Sequence, residues 1–179
     1  MNNRIFEQQV DRYRDRVYGL ACYLVGVNVD AEDITQEVFL RLWQRRKEID
    51  KERVLGWLLR VTRNCCIDLH RKKKARFLNL NPIEFTEDTG VSDDRGPDKQ
   101  MDDKRFANIL KDAISNLPDP YRSILVLREM HEMKYDEIAD VLDLPLTTVK
   151  VYLHRARAKL RKDLIERDVL ELGLFESKV

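Results

Sequence analysis

Between Pro145 and Lys162 the chain carries six lysines or arginines and no acid. Such segregation suits one chemistry: ion pairing with phosphate oxygens, with hydrogen bonds to base edges from the polar residues in between. A second cationic stretch, Trp57 to Arg76, sets Arg60, Arg63, Arg71, Lys72, Lys73, Lys74 and Arg76 against a single acid, Asp68. A helix charged in this way can follow a phosphate backbone and receive an unstacked base, whose flipping costs only a few kcal/mol at an easily opened step. Covalent chemistry has no comparable footing. His70, His131 and His154 are scattered, with no nucleophile elbow, phosphate-cradling glycine loop or metal-ligand spacing beside them, so they are expected at the surface or against phosphate. Cys22, Cys65 and Cys66 lack a C-x-x-C spacing and suit small apolar residues in a reducing cytosol. No enzyme activity, cofactor or metal is expected.

A third group points to a protein partner. Asp30, Glu32, Asp33 and Glu37 precede Phe39, Leu40 and Trp43 with no base from 30 to 37, which is a charged rim beside an aromatic anchor. The same residues would serve equally as helix caps and core filling.

These groups need elements to hold them. Phe6, Val10, Tyr13, Val17, Leu20 and Leu24 recur at steps of four and three, the stripe of a first helix ending near Gly26. Asp30 is expected to cap a second helix whose apolar face carries Ile34, Val38, Leu42 and Ile49. A third helix, from about Val54 to Arg76, is expected to face inward through Trp57, Val61, Cys65 and Leu69. From Phe77 to Lys104 the periodicity stops, turn formers gather, and eight acids stand against three bases, as in a self-repelling tether. Helical pattern resumes with Phe106, Ile109, Leu110, Ala113 and Ile114, then breaks at Asn116-Leu-Pro118. Asp119-Pro120 has the form of an N-cap followed by proline at the first helical position.

The next helix carries Ile124, Leu125 and Leu127, and Ile138, Ala139 and Leu142 then lead into a turn at Asp143-Leu-Pro145. After the turn Val149, Leu153, Ala156 and Leu160 form a buried stripe, opposite which lie Thr147, Thr148, Lys150, His154, Arg155, Arg157 and Arg161. That is a helix-turn-helix, whose second helix places its N-terminal residues in the major groove while flanking cations set register on phosphates.

The whole is expected to be all-α: two small helical domains, 1–76 and 105–162, joined by an acidic flexible linker at 77–104. The second is a four-helix helix-turn-helix domain without a wing, and a tail at 163–179 either packs back or meets a partner. Composition agrees. Hydrophobic residues make up 43% and charged residues 36% of 179, with a net charge of +1, so any basic surface comes from local segregation. No apolar run approaches the ~18 residues of a spanning helix and the N-terminus has no signal-peptide core, which predicts a cytoplasmic protein without a membrane span.

Three segments together carry a family resemblance. Asp30-Ala-Glu-Asp-Ile-Thr-Gln-Glu-Val-Phe-Leu-Arg-Leu-Trp43 resembles the core-polymerase-binding helix of bacterial sigma factors, and Trp57-Leu-Leu-Arg-Val-Thr-Arg-Asn-Cys-Cys-Ile-Asp68 the promoter-melting helix that follows it. Leu-Thr-Thr-Val-Lys-Val-Tyr-Leu-His-Arg-Ala-Arg157 is similar to their C-terminal recognition helix. Two domains joined by one short linker look like the extracytoplasmic-function type, or group IV. The resemblance implies contacts from Asp33, Gln36, Glu37, Leu40 and Trp43 to the clamp coiled coil of core RNA polymerase. It implies minus-ten contacts, to DNA that becomes single-stranded, from Lys51, Arg53, Arg60, Arg63, Asn64, Arg71 and Lys72. The base pocket would lie between the loop Lys47 to Arg53 and the helix, with Asn64 offering donors and an acceptor. Duplex minus-thirty-five contacts fall to Thr147, Thr148, Lys150, Val151, His154 and Arg155. The acidic linker would thread the polymerase cleft, although an inert tether fits it as well, and an anti-sigma partner would hold the protein inactive. A stand-alone operator-binding regulator remains the alternative; it leaves Asp30 to Trp43 unexplained.

Overall fold

The computed structural model describes residues 3–26, 28–80 and 99–167, with backbone alone at 77–80 and 99–105. Among these residues there are seven α-helices and no strand, in agreement with the all-α expectation. The first half is α1 (Asn3–Val25), α2 (Asn28–Gln44) and α3 (Val54–Leu80), with a 3-10 turn at Lys51–Arg53 leading into α3. The second half is α4 (Lys99–Ser115), α5 (Tyr121–Glu129), α6 (Tyr135–Leu142) and α7 (Leu146–Glu166).

The first stripe packs as its spacing predicts: Val17, Leu20 and Leu24 are buried, with Phe6, Val10 and Tyr13 half-buried against them. Gly26 ends α1 at φ 76, a left-handed conformation natural to glycine, and its N–H donates to the Cys22 carbonyl at 3.0 Å. Helix α2 starts at Asn28, so Asp30 sits in its first turn rather than at its cap, and it pairs with Lys73 of α3. Ile34, Val38 and Leu42 are buried, whereas Ile49 lies beyond the helix.

The inward face of α3 differs from expectation. Val54, Leu58, Leu59, Thr62, Cys65 and Cys66 are the buried positions, while Trp57, Val61 and Leu69 are only half-buried. Helix α3 has neighbours on two sides, α1 and α2 on one and α6 on the other, and so has no single inward stripe. It also continues to Leu80, and α4 begins at Lys99, both inside the segment read as linker. The acidic stretch between them, 81–98, lies outside the described residues.

In the second half Pro120, not Asp119, precedes the first residue of α5. The Asp119 carboxylate instead accepts from the Ser123 hydroxyl and from Arg63. Glu137 accepts the Lys134 N–H at 2.7 Å, capping α6 from within its first turn. Asp143 closes α6 in the left-handed conformation, φ 54 and ψ 49, its N–H on the Ala139 carbonyl. The Leu144 N–H joins the same carbonyl at 3.0 Å, setting the angle at which α7 departs. Val149, Leu153 and Ala156 are buried and Leu160 is half-buried, as expected. Helix α7 runs on to Glu166 with Leu164 buried, so the first residues of the expected tail are helix; 168–179 lie outside the described residues.

The halves do not stand apart. Helix α1 touches α4 and α5, and α3 touches α6, so the apolar interior runs through both halves.

Candidate nucleic-acid and partner interfaces

On α7, Thr147, Lys150, Val151, His154 and Arg155 are all exposed. Their spacing of three and four keeps them on one face, over roughly 12 Å at 1.5 Å per residue. A major groove is about as wide. Among the described residues Lys150, His154 and Arg155 have no ion-pair partner, so none of the described acids competes for their charge. Thr148 is half-buried and sits at the edge of the face. Arg157 does not belong to it: Nε and Nη2 both donate to Glu129 Oε1 of α5, at 3.0 and 2.6 Å. Tyr152 also turns inward, its ring 5.2 Å from that of Tyr121.

On α2, Asp33, Gln36, Glu37 and Leu40 are exposed, and spacing of three and four again gives one face. Leu40 is 51% exposed, a large apolar group beside three polar ones. Glu37 holds Arg41 at 2.7 Å in an exposed i,i+4 pair, a contact worth only ~0.3–0.5 kcal/mol and easily exchanged. The aromatic anchor is weaker than the sequence suggests. Phe39 is buried, and Trp43 is half-buried, edge-on to Phe6 at 4.9 Å and with Arg46 3.9 Å over its ring. Both aromatics face the inside of α2 because Val38 and Leu42 beside them do, leaving Leu40 as the exposed apolar contact.

On α3 the cationic residues divide. Arg60, Asn64 and Arg71 share an exposed stripe about 16 Å long, Lys72 is exposed on another side, and Lys51 and Arg53 are exposed on the preceding turn. Asn64 keeps its amide free among the described residues. Arg63 is different: its side chain is only 18% exposed and is bound to Asp119 of the second half. Arg60 donates to the Asp140 carbonyl. Two of the seven positions expected to meet DNA are therefore engaged by the second half. No pattern of residue types announces this, since one acceptor is a backbone carbonyl and the other lies 56 positions away.

The groups that could do covalent chemistry are poorly placed for it. Burial, then the neighbouring Cys65, pushes the Cys66 thiol up to about 12, and burial raises Cys65 too, so neither supplies a thiolate at neutral pH. His131 is not at the surface as expected but 6% exposed, with burial and then Arg16 pulling it down to about 4. His70 is exposed, and its Nε2 lies 2.8 Å from the Leu24 carbonyl. Among the described residues no group of three or more metal-ligating side chains is present, and no helix is long and apolar enough to cross a membrane.

Comparison with known proteins places these faces in context. Residues 9–76 match the family model of Sigma-70 region 2, and residues 107–160 that of Sigma-70, region 4. The chain is 34% identical over 165 residues to the ECF RNA polymerase sigma factor SigW of Bacillus subtilis (strain 168), covering 89% of this chain and 88% of that one. Among solved structures it resembles CnrH in complex with the cytosolic domain of CnrY, with a TM-score of 0.66, 27% identity, and 93% and 91% of the two chains covered. It also resembles the sigma factor RpoE bound to the anti-sigma factor NepR from Bartonella quintana. There the TM-score is 0.72 at 20% identity, with 89% and 96% covered, a likeness of fold.

Proposed function

This chain belongs to the extracytoplasmic-function sigma factors, initiation factors that direct core RNA polymerase to promoters, and from that premise we propose a division of labour among its three faces. Helix α2 meets the polymerase clamp coiled coil through Asp33, Gln36, Glu37 and Leu40, with Trp43 bracing the helix from behind. Lys51, Arg53, Arg60, Arg63, Asn64, Arg71 and Lys72 hold the minus-ten element as it opens, cations on phosphates and the Asn64 amide on a base edge. Thr147, Thr148, Lys150, Val151, His154 and Arg155 read the minus-thirty-five duplex. Residues 1–76 and 105–162 act as the two DNA-binding units, and the segment between them sets how far apart the two elements lie.

The observation that carries this reading is the cationic face of α7, without an ion-pair partner among the described residues, paired in one chain with an exposed acidic and apolar face on α2. Each face does work by binding alone, so no covalent step is required of the protein, which acts in the cytoplasm with the polymerase. On α7, Lys150 and Arg155 flank Val151, which is 47% exposed and apolar. The apolar feature of a major groove is the thymine methyl, so Val151 contacts a thymine. Two relatives of this fold are known in complexes with CnrY and with an anti-sigma factor, and an anti-sigma partner is proposed here too.

The contact with polymerase separates this reading from an operator-binding regulator. Core polymerase should be retained by the immobilised wild-type chain and lost on Glu37→Arg or Leu40→Asp, with the helical content of both variants unchanged. Equal retention by all three would remove α2 from the interface.

A further inference from the structure

Tyr152 and Arg157 belong to the helix proposed to read duplex, yet both turn back onto α5. At the end of α5, Glu129 Oε1 accepts from Arg157 Nε at 3.0 Å and from Nη2 at 2.6 Å. At its start the Tyr121 ring packs 5.2 Å from that of Tyr152, and Lys159, two turns further along α7, holds its Nζ 5.9 Å from the Tyr121 ring. At ~100° per residue, Arg157 stands about 140° around α7 from Tyr152. The buried stripe of Val149, Leu153 and Ala156 falls between the two. Lys150, Val151, His154 and Arg155 occupy the arc that remains, and all four are exposed. Helix α5 therefore grips α7 by both flanks, with one directional contact on each side of the apolar seam.

The seam alone does not fix the roll of α7 about its axis, because apolar attraction is non-directional. A roll of about 20° keeps the stripe buried but carries a side chain ~6 Å from the axis sideways by about 2 Å, over half of the ~3.4 Å step between bases. Contact with a base edge does not survive that displacement, whereas attraction to phosphate falls off slowly with distance and does. The Arg157 and Glu129 side chains are 52% and 41% exposed, so their pairing adds little to stability. What it supplies is direction. Resting on the reading of α7 as the helix that reads the minus-thirty-five duplex, we propose that Arg157, Glu129 and Tyr152 are positioning residues for sequence discrimination. They fix the roll of α7 and touch no DNA.

The test uses the full chain and two labelled duplexes, titrated by anisotropy over a salt series. One duplex carries the upstream element shared by the starts that this chain gives core polymerase, and the other carries that element shuffled. The wild type should prefer the first. Arg157→Ala, Glu129→Ala and Tyr152→Ala should each lower that preference about fivefold, the lower end of the cost of one mismatched base pair, and leave the salt slope as it was. Combining Arg157→Ala with Glu129→Ala should lower it no further than either alone. Tyr152→Phe keeps a ring against Tyr121 and should restore the preference. Thermal midpoints of the Arg157 and Glu129 variants should move by only ~1–2 °C. An unchanged preference in all three alanine variants would overturn the proposal. So would a salt slope flattened by ~1 in Arg157→Ala but not in Glu129→Ala, since Arg157 would then be a phosphate contact. A wild type that does not distinguish the two duplexes would instead remove the duplex reading of α7, and the proposal with it.

Discussion

Lys150 and Val151 are neighbours on the same exposed face of α7, yet they should fail in different ways when changed. A lysine on phosphate releases counterions, so Lys150→Ala should flatten the salt slope of duplex binding by ~1 while leaving sequence preference intact. A valine on a thymine methyl is blind to salt. Replacing that thymine by uracil should cost the wild type ~0.8 kcal/mol and cost Val151→Ala much less. Titration curves over a salt series with thymine- and uracil-containing duplexes separate the two, and a Val151→Ala variant as sensitive to the methyl as wild type would refute the second. His131 makes a prediction about pH. Its folded value near 4 lies below the ordinary 6.5 because burial, then Arg16, disfavours the charged ring. The unfolded chain therefore takes up the proton first as pH falls. Stability is unpenalised above pH 6.5 and is lost through the window from 6.5 to about 4, by roughly 2–3 kcal/mol in all. Urea melts from pH 7 to 4.5 should show that loss, and His131→Phe should remove it.

At the scale of elements, the angle between α6 and α7 rests on Asp143 at φ 54. Aspartate tolerates that conformation, and a β-branched residue does not. Asp143→Val should lower stability by about 1–2 kcal/mol, while Asp143→Gly should stay within ~0.5, as thermal melts would register; equal stability for all three would mean the turn has relaxed. This turn and the helix after it were legible from sequence, because Val149, Leu153 and Ala156 repeat at one period and the cations at its complement. Helix α2 was half legible. Its contact set, Asp33, Gln36, Glu37, Leu40 and Trp43, came from the family resemblance, and the first four of these are exposed, but Phe39 and Trp43 could fill the core or meet a partner with the same pattern, and packing against Phe6 decided for Trp43. Helix α3 was the least legible. A helix with neighbours on two sides has no clean apolar stripe, and Arg60 and Arg16 bond to backbone carbonyls, which every residue type possesses. His131 was misread for a related reason: nothing in its local sequence shows that α1 covers it.

The molecule as a whole puts the faces proposed for promoter duplex and for polymerase outside while folding part of the face proposed for the melted strand inside. Lys150, Val151 and Arg155 are exposed, as are Glu37 and Leu40, whereas Arg63 is turned onto the second half. Free protein should therefore read duplex more readily than it grips melted strand, and polymerase should be needed to set both DNA elements in place at once. Transcription by core polymerase over a library of genomic fragments, with and without this chain and with 5′ ends mapped, tests that claim most directly. The prediction is a defined set of new starts preceded by two shared elements at constant spacing, lost with Glu37→Arg and weakened with Lys150→Ala. New starts that survive Glu37→Arg undiminished, or no starts beyond those of core polymerase alone, would contradict it.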